Sequence, residues 1–255
     1  MLLHVSVYGK PLVEDLRCEL RSNPSGIDIQ NPRMSWKIAA HDERGVNQTG
    51  YHILVASSPE KLAQNHGDLW DSGTVESANS IAVRYAGESL KSRTQVYWKV
   101  KITTNKGVSA WSSQGTWTMG LLHYKDWLGR WIGFDKYFET DDQEAGTLAA
   151  RYFRKEFSLT KRVQKAEAYV MGLGLYEFYL DGKKVGDQVL APTPTDYTKN
   201  IKYNVFDVTH LLDKGEHTIG LILGNGRFYA MRQSKPYKVK NFGFPKLQMQ
   251  LMVTY

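Results

Sequence analysis

Apolar and polar residues alternate along much of the chain with the two-residue period of β-strands. In the run 96–102, the even positions Val96, Trp98, Val100 and Ile102 are apolar and predict one core-facing side. Similar short runs, separated by Asn-Pro, Ser-Pro and glycine turn signals, predict strands at 33–38, 51–57, 69–71, 80–84, 95–104 and 115–119. The pattern between residues 13 and 120 therefore favours an all-β sandwich.

A second group of strands is predicted in the other half of the chain. The alternating run from 169 to 187 is interrupted by Asp181-Gly182, a dipeptide suited to the two positive-φ positions of a type I′ turn, which predicts a hairpin. The run 217–223 is typical of a buried strand, and strands at 148–159 and 246–255 complete the prediction of a second sandwich.

One short helix is predicted between these strands. Asp207 or Thr209 is suited to cap a helix of one or two turns, and Gly215 is suited to end it. In contrast, the acidic segment 135–146 contains few apolar residues and is predicted to be an exposed loop.

The charge of the chain is unevenly distributed. Lys and Arg outnumber Asp and Glu by 33 to 26, and Glu216 is the last acidic residue. The basic residues after it are Arg227, Arg232, Lys235, Lys238, Lys240 and Lys246. Because no basic helix or RNA-binding signature accompanies them, they predict a solvated or domain-docking face and no nucleic-acid partner.

The cysteine content and the N-terminal sequence provide information on the cellular compartment of the protein. The single cysteine, Cys18, excludes an internal disulfide framework and is predicted to be a small buried residue at the start of the first strand. Residues 1–10 lack the features of a secretory signal, and no segment has the ~20 apolar residues of a membrane helix. The expectation is a soluble protein with no membrane partner, cytoplasmic as the chain stands, or periplasmic or extracellular if its true start lies upstream.

Two ordered sets of motifs resemble one known family. The second half contains Gly172-Leu173-Gly174, Asp181-Gly182, Val185-Gly186-Asp187, Thr195-Asp196-Tyr197, Asp207-Val208-Thr209 and Gly224-Asn225-Gly226. The first half contains Leu16-Arg17-Cys18-Glu19, Pro32-Arg33-Met34-Ser35-Trp36 and Leu69-Trp70-Asp71-Ser72-Gly73. In this order they resemble the N-terminal domains of bacterial α-L-rhamnosidases, and the resemblance covers residues 16–255. Tyr97-Trp98-Lys99-Val100 followed by Ser109-Ala110-Trp111-Ser112 is also similar to the end of a fibronectin type III domain.

The resemblance implies a specific domain organisation. We expect an all-β protein with a fibronectin type III or Ig-like sandwich at 13–120, a linker at 121–134, and a jelly-roll-type β-sandwich at 135–255 that is incomplete at its C-terminal end. Trp127 and Trp131 are expected to pack at the domain junction rather than to form a sugar platform.

The same resemblance indicates a function without catalysis. Rhamnosidases of this kind hydrolyse terminal α-L-rhamnose with carboxylates in a downstream helical-barrel domain, and two carboxylates must face one pocket for such chemistry. Here the acidic pairs Glu14-Asp15 and Asp141-Asp142 are sequence neighbours in loop-like stretches, and the histidines lack metal-ligand spacing. The chain is therefore expected to support a downstream catalytic domain and to be inactive alone. The alternatives are an autonomous carbohydrate-binding or adhesion module and an inactive truncated remnant.

The family resemblance also implies a candidate sugar site in the second sandwich. Its residues would bind a rhamnose-containing glycan or glycoside, and no cofactor is required except a possible calcium ion held by Asp181 and Asn225. The candidate carbohydrate-binding residues are Tyr176, Asp181, Asp187, Tyr197, Asn225, Arg227 and Phe228. A structural interpretation stays open, because Asp181 is also a turn residue and Asn225 is suited to a positive-φ position between two glycines.

Overall fold

The computed structural model describes residues 11–39, 43–142, 147–230 and 241–255. The chain divides into two compact units, with the division between Asp126 and Trp127. Both units are built almost entirely from antiparallel strands, which confirms the predicted all-β class. Among the described residues, no helix is long and apolar enough to cross a membrane.

The first unit consists of two antiparallel sheets. Its strands are β1 (Leu12–Cys18), β2 (Arg33–Ala39), β3 (Gln48–Ala56), β4 (Trp70–Glu76), β5 (Val83–Arg84), β6 (Gln95–Thr104), β7 (Gly107–Val108) and β8 (Gly115–Thr118). One sheet has the order β1-β2-β5, and the other has the order β4-β3-β6-β7 with β8 also paired to β6. Each strand predicted in this half overlaps an observed one, and β1 and β7 are additional strands.

The core of the first unit confirms the alternation predicted for β6. Val96, Trp98, Val100 and Ile102 are at most 1% exposed, and they pack in one cluster with Trp117. The position predicted for Cys18 was wrong in one respect. Cys18 is buried as expected, but it ends β1 instead of starting a strand, because the alternation already begins at Leu12.

The opposite face of β6 is covered by a helix that the sequence pattern did not predict. Helix α1 (Pro59–Ala63) begins after Ser58, whose hydroxyl accepts a hydrogen bond from the Lys61 amide. Its Leu62 packs with Leu54 and Ala56 in a second, smaller apolar cluster. Lys99 is also buried on this face, and its ammonium group donates to the Leu62 carbonyl at 2.6 Å. The two-residue alternation therefore identifies the face of β6 that packs in the main core. It does not reveal that the opposite face is covered by α1.

The second unit also contains two antiparallel sheets. Its strands are β9 (Ile132–Gly133), β10 (Arg151–Leu159), β11 (Lys165–Leu173), β12 (Leu175–Leu180), β13 (Lys183–Lys184), β14 (Tyr203–Asp207), β15 (Gly215–Gly224) and β16 (Lys246–Thr254). One sheet has the order β10-β15-β12-β13, and the other has the order β14-β11-β16-β9. Buried residues from both sheets, including Val170, Phe178, Leu221 and Leu247, form one apolar core. The jelly-roll connectivity of this unit stays a prediction.

A glycine corner connects the two sheets of the second unit. The chain leaves β11 at Leu173, passes through Gly174, and enters β12 in the other sheet. Gly174 has φ +133°, and a Cβ at this position would lie 2.4 Å from the Gly224 carbonyl oxygen. The expected alternation holds only after this corner, because β11 is buried on both faces whereas β12 has alternate residues buried.

The hairpin at Asp181-Gly182 is present as predicted. Asp181 and Gly182 have φ values of +48° and +77° between the paired strands β12 and β13, which is the backbone pattern of a type I′ turn. The strand predicted at 217–223 also forms as part of β15, but it is not fully buried. Within β15 only Leu221 and Leu223 are buried, because one side of this sheet faces away from the core.

Two other local predictions hold only in part. The helix after Asp207 is a single 3₁₀ turn (Thr209–Leu211), in which Asp207 accepts hydrogen bonds from the Thr209 amide and hydroxyl. Gly215 starts β15 and does not end a helix. The described part of the acidic segment, 135–142, is mostly exposed as predicted. The exception is the buried side chain of Asp141, whose two carboxylate oxygens accept hydrogen bonds from the Arg151 guanidinium.

The segment predicted as a linker, 121–134, is ordered on both sides of the division at Asp126. In the first unit, Leu121 is buried and a 3₁₀ turn spans Tyr124–Asp126. In the second unit, β9 pairs with β16, and Trp127 packs edge-on against Tyr203 at 5.3 Å between ring centroids. Trp127 therefore has a packing partner within its own unit.

Candidate functional site

Asp181 is held by the hairpin and by the neighbouring strand β15. Its backbone amide donates to the Thr218 carbonyl at 2.9 Å, and the Thr218 amide returns a 2.7 Å hydrogen bond to one carboxylate oxygen. The second carboxylate oxygen lies 2.7 Å from Nδ1 of His217. Both oxygens of the predicted ligand are therefore engaged by groups of the fold itself.

The electrostatic surroundings of this pair stabilise its charged form. The hydrogen bond with His217 is the main reason that the pKa of Asp181 lies below its ordinary value. The same hydrogen bond raises the pKa of His217, and a second bond from its Nε2 to the Asp213 carbonyl acts in the same direction. The arrangement is that of an ion pair that closes the hairpin.

Asn225 lies in a tight loop after β15. Gly226 has φ +52°, and a Cβ there would lie 2.9 Å from Cγ of Leu175. The Asn225 carbonyl accepts the Tyr229 amide at 3.3 Å, so the loop turns directly into Phe228 and Tyr229. The Gly-Asn-Gly motif thus allows close contact between this loop and the glycine corner that begins β12.

The structure separates the two predicted calcium ligands. Strands β12 and β15 pair with Leu175 opposite Gly224 and Leu180 opposite Ile219, so Asn225 and Asp181 lie at opposite ends of this pair. Six strand positions separate Gly224 from Thr218, the hydrogen-bond partner of Asp181, which corresponds to about 20 Å. A single calcium ion is bound at about 2.3–2.6 Å, so Asp181 and Asn225 do not fit a joint site.

The described residues also contain no cluster of three His, Cys, Asp or Glu side chains with the geometry of a metal site. A calcium ion at the Asn225 loop would therefore depend on backbone and amide oxygens. Binding of calcium by Asn225 without Asp181 stays a prediction.

Four of the predicted sugar-site residues lie around one aromatic cluster. The ring of Tyr197 contacts Phe228 and Phe242, each at 5.3 Å between centroids, and Phe228 stacks on Phe242 at 5.6 Å. Asn225 and Arg227 lie in the loop that leads into Phe228, and Arg227 is exposed. We refer to Tyr197, Asn225, Arg227, Phe228 and Phe242 as the loop cluster.

A second aromatic group adjoins the loop cluster in sequence. Tyr229 stacks on Phe244 at 5.9 Å, and its hydroxyl lies 2.8 Å from that of Tyr137. Burial and this hydrogen bond raise the pKa of Tyr229 to about 12. The rings therefore brace the segment that carries Phe228.

Two other predicted sugar-site residues, Tyr176 and Asp187, are not part of the loop cluster. Tyr176 is 4% exposed, and its hydroxyl donates to Oδ1 of Asn204 at 2.8 Å, so it is a core residue with a satisfied hydroxyl. Burial raises its pKa. Asp187 is exposed in the segment after β13, directly after Gly186 with φ +77°. A direct role of Asp187 in sugar binding stays a prediction.

The acidic residues give no indication of a catalytic acid within the described part of the chain. Each Asp or Glu there with a displaced pKa has it lowered, whereas a glycosidase acid requires a raised pKa. The groups that lower these pKa values are hydrogen-bond and ion-pair partners within the fold. Arg17 and Lys37 hold the pKa of Asp15 at about 2, and Arg151 lowers that of Asp141.

Sequence reasoning missed Phe242 and the Asp141–Arg151 pair. Phe242 follows the basic segment 231–240, which lies outside the described residues, and no strand pattern in the sequence precedes it. The sequence Phe242-Gly243-Phe244-Pro245, with two aromatic residues at alternate positions before β16, was the available signal. No local pattern links Asp141 to Arg151.

Comparison with known proteins matches both units to one family. Residues 13–123 match the model of the Rha78A-like, N-terminal immunoglobulin domain, and residues 161–255 match that of the alpha-L-rhamnosidase N-terminal domain. An alpha-L-rhamnosidase of Formosa agariphila is 41% identical over 84% of this chain, and one of Alteromonas sp. is 34% identical over 91%.

A solved structure shows the same correspondence. The alpha-L-rhamnosidase from Dictyoglumus thermophilum superposes with a TM-score of 0.84 and 36% identity over 97% of this chain, which corresponds to 28% of that protein. The chain spans 24% and 25% of the lengths of the Formosa and Alteromonas relatives. The chain thus corresponds to the N-terminal portion of the α-L-rhamnosidase family, with an immunoglobulin-like domain followed by the α-L-rhamnosidase N-terminal domain.

Proposed function

We propose that this chain acts as the non-catalytic N-terminal portion of an α-L-rhamnosidase-type glycoside hydrolase and supports a downstream catalytic domain. The observation that carries the proposal is that both units match this family while together spanning about a quarter of its full-length members. Among the described residues, each acid with a displaced pKa has it lowered by a partner in the fold, which is consistent with a supporting role.

The supporting role is tested by exchanging the corresponding portions of two proteins. The matched N-terminal quarter of the Formosa agariphila alpha-L-rhamnosidase is replaced by this chain, which is 41% identical to it. We expect the chimera to hydrolyse an aryl α-L-rhamnoside, whereas the same enzyme without its N-terminal quarter loses yield or activity. A deletion variant with full yield and full activity would contradict a supporting role.

We also propose that the second unit binds a rhamnose-containing glycan through the loop cluster. The partly exposed rings of Tyr197 and Phe242, which pack on the buried Phe228, offer apolar surface to the C–H groups of a sugar. The exposed Arg227 guanidinium is suited to donate two hydrogen bonds to neighbouring hydroxyls. Asn225 adds an amide at the same loop. The packing of Tyr197, Phe228 and Phe242 against one another supports a preformed surface.

Calorimetric titration with L-rhamnose, in calcium and in a chelator, tests this second proposal. We expect binding that is lost in the Asn225→Ala, Arg227→Ala double variant and retained in Asp181→Ala, because Asp181 lies at the other end of β12. Equal binding in calcium and in chelator would exclude a metal requirement. Unchanged affinity and stoichiometry in the double variant would contradict the loop cluster as a site.

A further inference from the structure

The outer face of the sheet β10-β15-β12 has a glycine at its centre. The strand register places Tyr179, Gly220 and Arg154 side by side across the three strands, and the next row on the same face is Glu177, Ile222 and Tyr152. Alternate residues such as Phe153 and Leu221 point to the core. Gly220 therefore leaves a gap in a face otherwise covered by side chains.

The fold does not require glycine at this position. Gly220 lacks the positive φ seen at the turn glycines of this chain, and a Cβ there would meet only Cβ of Tyr179, at an ordinary contact distance of 3.5 Å. Glycine in the interior of a strand costs stability and often marks the close approach of a ligand. In contrast, Gly174 has both a positive φ and a 2.4 Å clash to avoid.

The gap forms the floor of a groove with a volume of about 660 Å³. This volume lies in the range of small-ligand sites. Tyr152, which is 73% exposed, forms one wall, and Tyr179 forms another. Ile222 adds an apolar surface beside the floor.

The polar groups around the groove are arranged in pairs of opposite charge. Arg154 pairs with Glu156 at 2.5 Å, and Glu177 accepts hydrogen bonds from the Tyr179 hydroxyl at 2.6 Å and from Lys184 at 2.8 Å. These pairs present donors and acceptors with little net charge. Such a rim favours a neutral, hydroxyl-rich ligand over a phosphate or a carboxylate.

We propose that this groove binds one neutral pyranose ring of a glycan, with an apolar ring face over Gly220 between the two tyrosines. Hydroxyls at the ring edge bond to Arg154 and Glu177. The groove lies on a strand face and is distinct from the loop cluster; the choice of a sugar as ligand class rests on the proposed function.

The test is an NMR titration of the full chain with three probes: methyl α-L-rhamnopyranoside, methyl α-D-mannopyranoside and sodium D-glucuronate. We expect at least one neutral glycoside to shift the amide resonances of Thr218, Gly220 and Ile222 at millimolar concentration, and glucuronate to have a weaker effect. Gly220→Val fills the floor and should abolish these shifts while leaving the melting temperature equal or higher. Loss of the groove should therefore coincide with retained or increased stability.

Two further variants distinguish binding in the groove from nonspecific effects of replacing an exposed tyrosine. Tyr152→Ala removes an exposed wall and should weaken binding by about tenfold or more. Its control is Tyr124→Ala, at a tyrosine that is 84% exposed in the first unit, which should change nothing. The absence of shifts at Gly220 with both neutral glycosides, or shifts that persist in Gly220→Val, would overturn the proposal.

The two sugar-binding proposals fail in different ways. Shifts confined to Asn225–Phe228 would refute the groove and leave the loop cluster standing. Shifts at Gly220 that survive the Asn225→Ala, Arg227→Ala double variant would establish the groove independently. Hydrolysis of a rhamnoside by the chain itself would refute the proposed non-catalytic function without bearing on the groove.

Discussion

The carboxylate of Asp181 lies 2.7 Å from Nδ1 of His217 and joins the turn of the β12–β13 hairpin to strand β15. The other ring nitrogen of His217 lies 2.9 Å from the Asp213 carbonyl oxygen. Because both partners are acceptors, the doubly protonated imidazolium satisfies both contacts. The pair therefore connects the protonation of one histidine to the stability of the hairpin.

The pair predicts a pH window for stability. The pKa of His217 is raised from its ordinary 6.5, so its contribution is complete below pH 6.5 and is lost as pH rises through the folded-state pKa. The pKa of Asp181 is lowered from 3.8, so its contribution is complete above that value and is lost as pH falls through the folded-state pKa. Between these limits the hairpin has its full stabilisation.

Melting temperatures measured from pH 4 to pH 9 check this window. His217→Gln should lower the melting temperature most at pH 4–6 and have less effect at alkaline pH. His66→Gln, at an exposed histidine of the first unit, is the matched control and should leave the profile unchanged. A His217→Gln profile parallel to that of the wild type would show that the Asp181–His217 pair does not set the pH dependence of stability.

The buried pair of Asp141 and Arg151 predicts a large loss on removal of one partner. Arg151→Ala leaves the fully buried Asp141 carboxylate without its bidentate donor and should cost about 3–5 kcal/mol in free energy of unfolding. Arg154→Ala removes a pair whose side chains are 66% and 63% exposed, and should cost about 1 kcal/mol or less. Urea unfolding followed by circular dichroism measures both, and equal losses would contradict this ranking.

Substitution by alanine is predicted to have opposite effects on stability at two glycines, Gly174 in the glycine corner and Gly220 in β15. Gly174→Ala introduces a Cβ 2.4 Å from the Gly224 carbonyl oxygen at a positive φ, and should cost more than about 1 kcal/mol. Gly220→Ala meets no such contact and should be neutral or stabilising. Thermal unfolding of the two variants gives the comparison, and a stable Gly174→Ala variant would show that the corner does not require glycine.

The small cluster outside β6 predicts that helix α1 is part of the stable first unit. Leu62 is 2% exposed against Leu54 and Ala56, so Leu62→Ala should cost about 2–5 kcal/mol. Ile81→Ala, at a residue 70% exposed in the same unit, should cost less than about 0.5 kcal/mol. Tryptophan fluorescence during urea unfolding distinguishes these results. A loss at Leu62 as small as that at Ile81 would place α1 outside the cooperative unit.

Local patterns were sufficient for the features that depend on neighbouring residues. The alternation in β6 correctly marks Trp98 and Val100 as core, because a strand exposes successive side chains to opposite faces. The turn at Asp181-Gly182 was predictable because only a few dipeptides tolerate two positive φ values. These rules act within a few residues and need no knowledge of the tertiary structure.

The candidate site was less predictable because it depends on register and on distant contacts. Asp181 and Asn225 both adjoin glycine-containing motifs, but only the pairing of β12 with β15 shows that they lie at opposite ends. The position of Phe242 against Tyr197 and Phe228 joins segments that no periodicity relates. The same holds for Arg151 and its partner Asp141, which residues 143–146 separate in the sequence.

We propose that this chain supports rhamnoside hydrolysis without performing it. The most direct measurement is the release of aryl alcohol from an aryl α-L-rhamnoside by the purified chain, at high protein concentration and over the pH range 4–8. We predict no release above the rate of a protein-free blank. Turnover that co-purifies with the chain and is abolished by substitution of one of its own carboxylates would contradict a non-catalytic role.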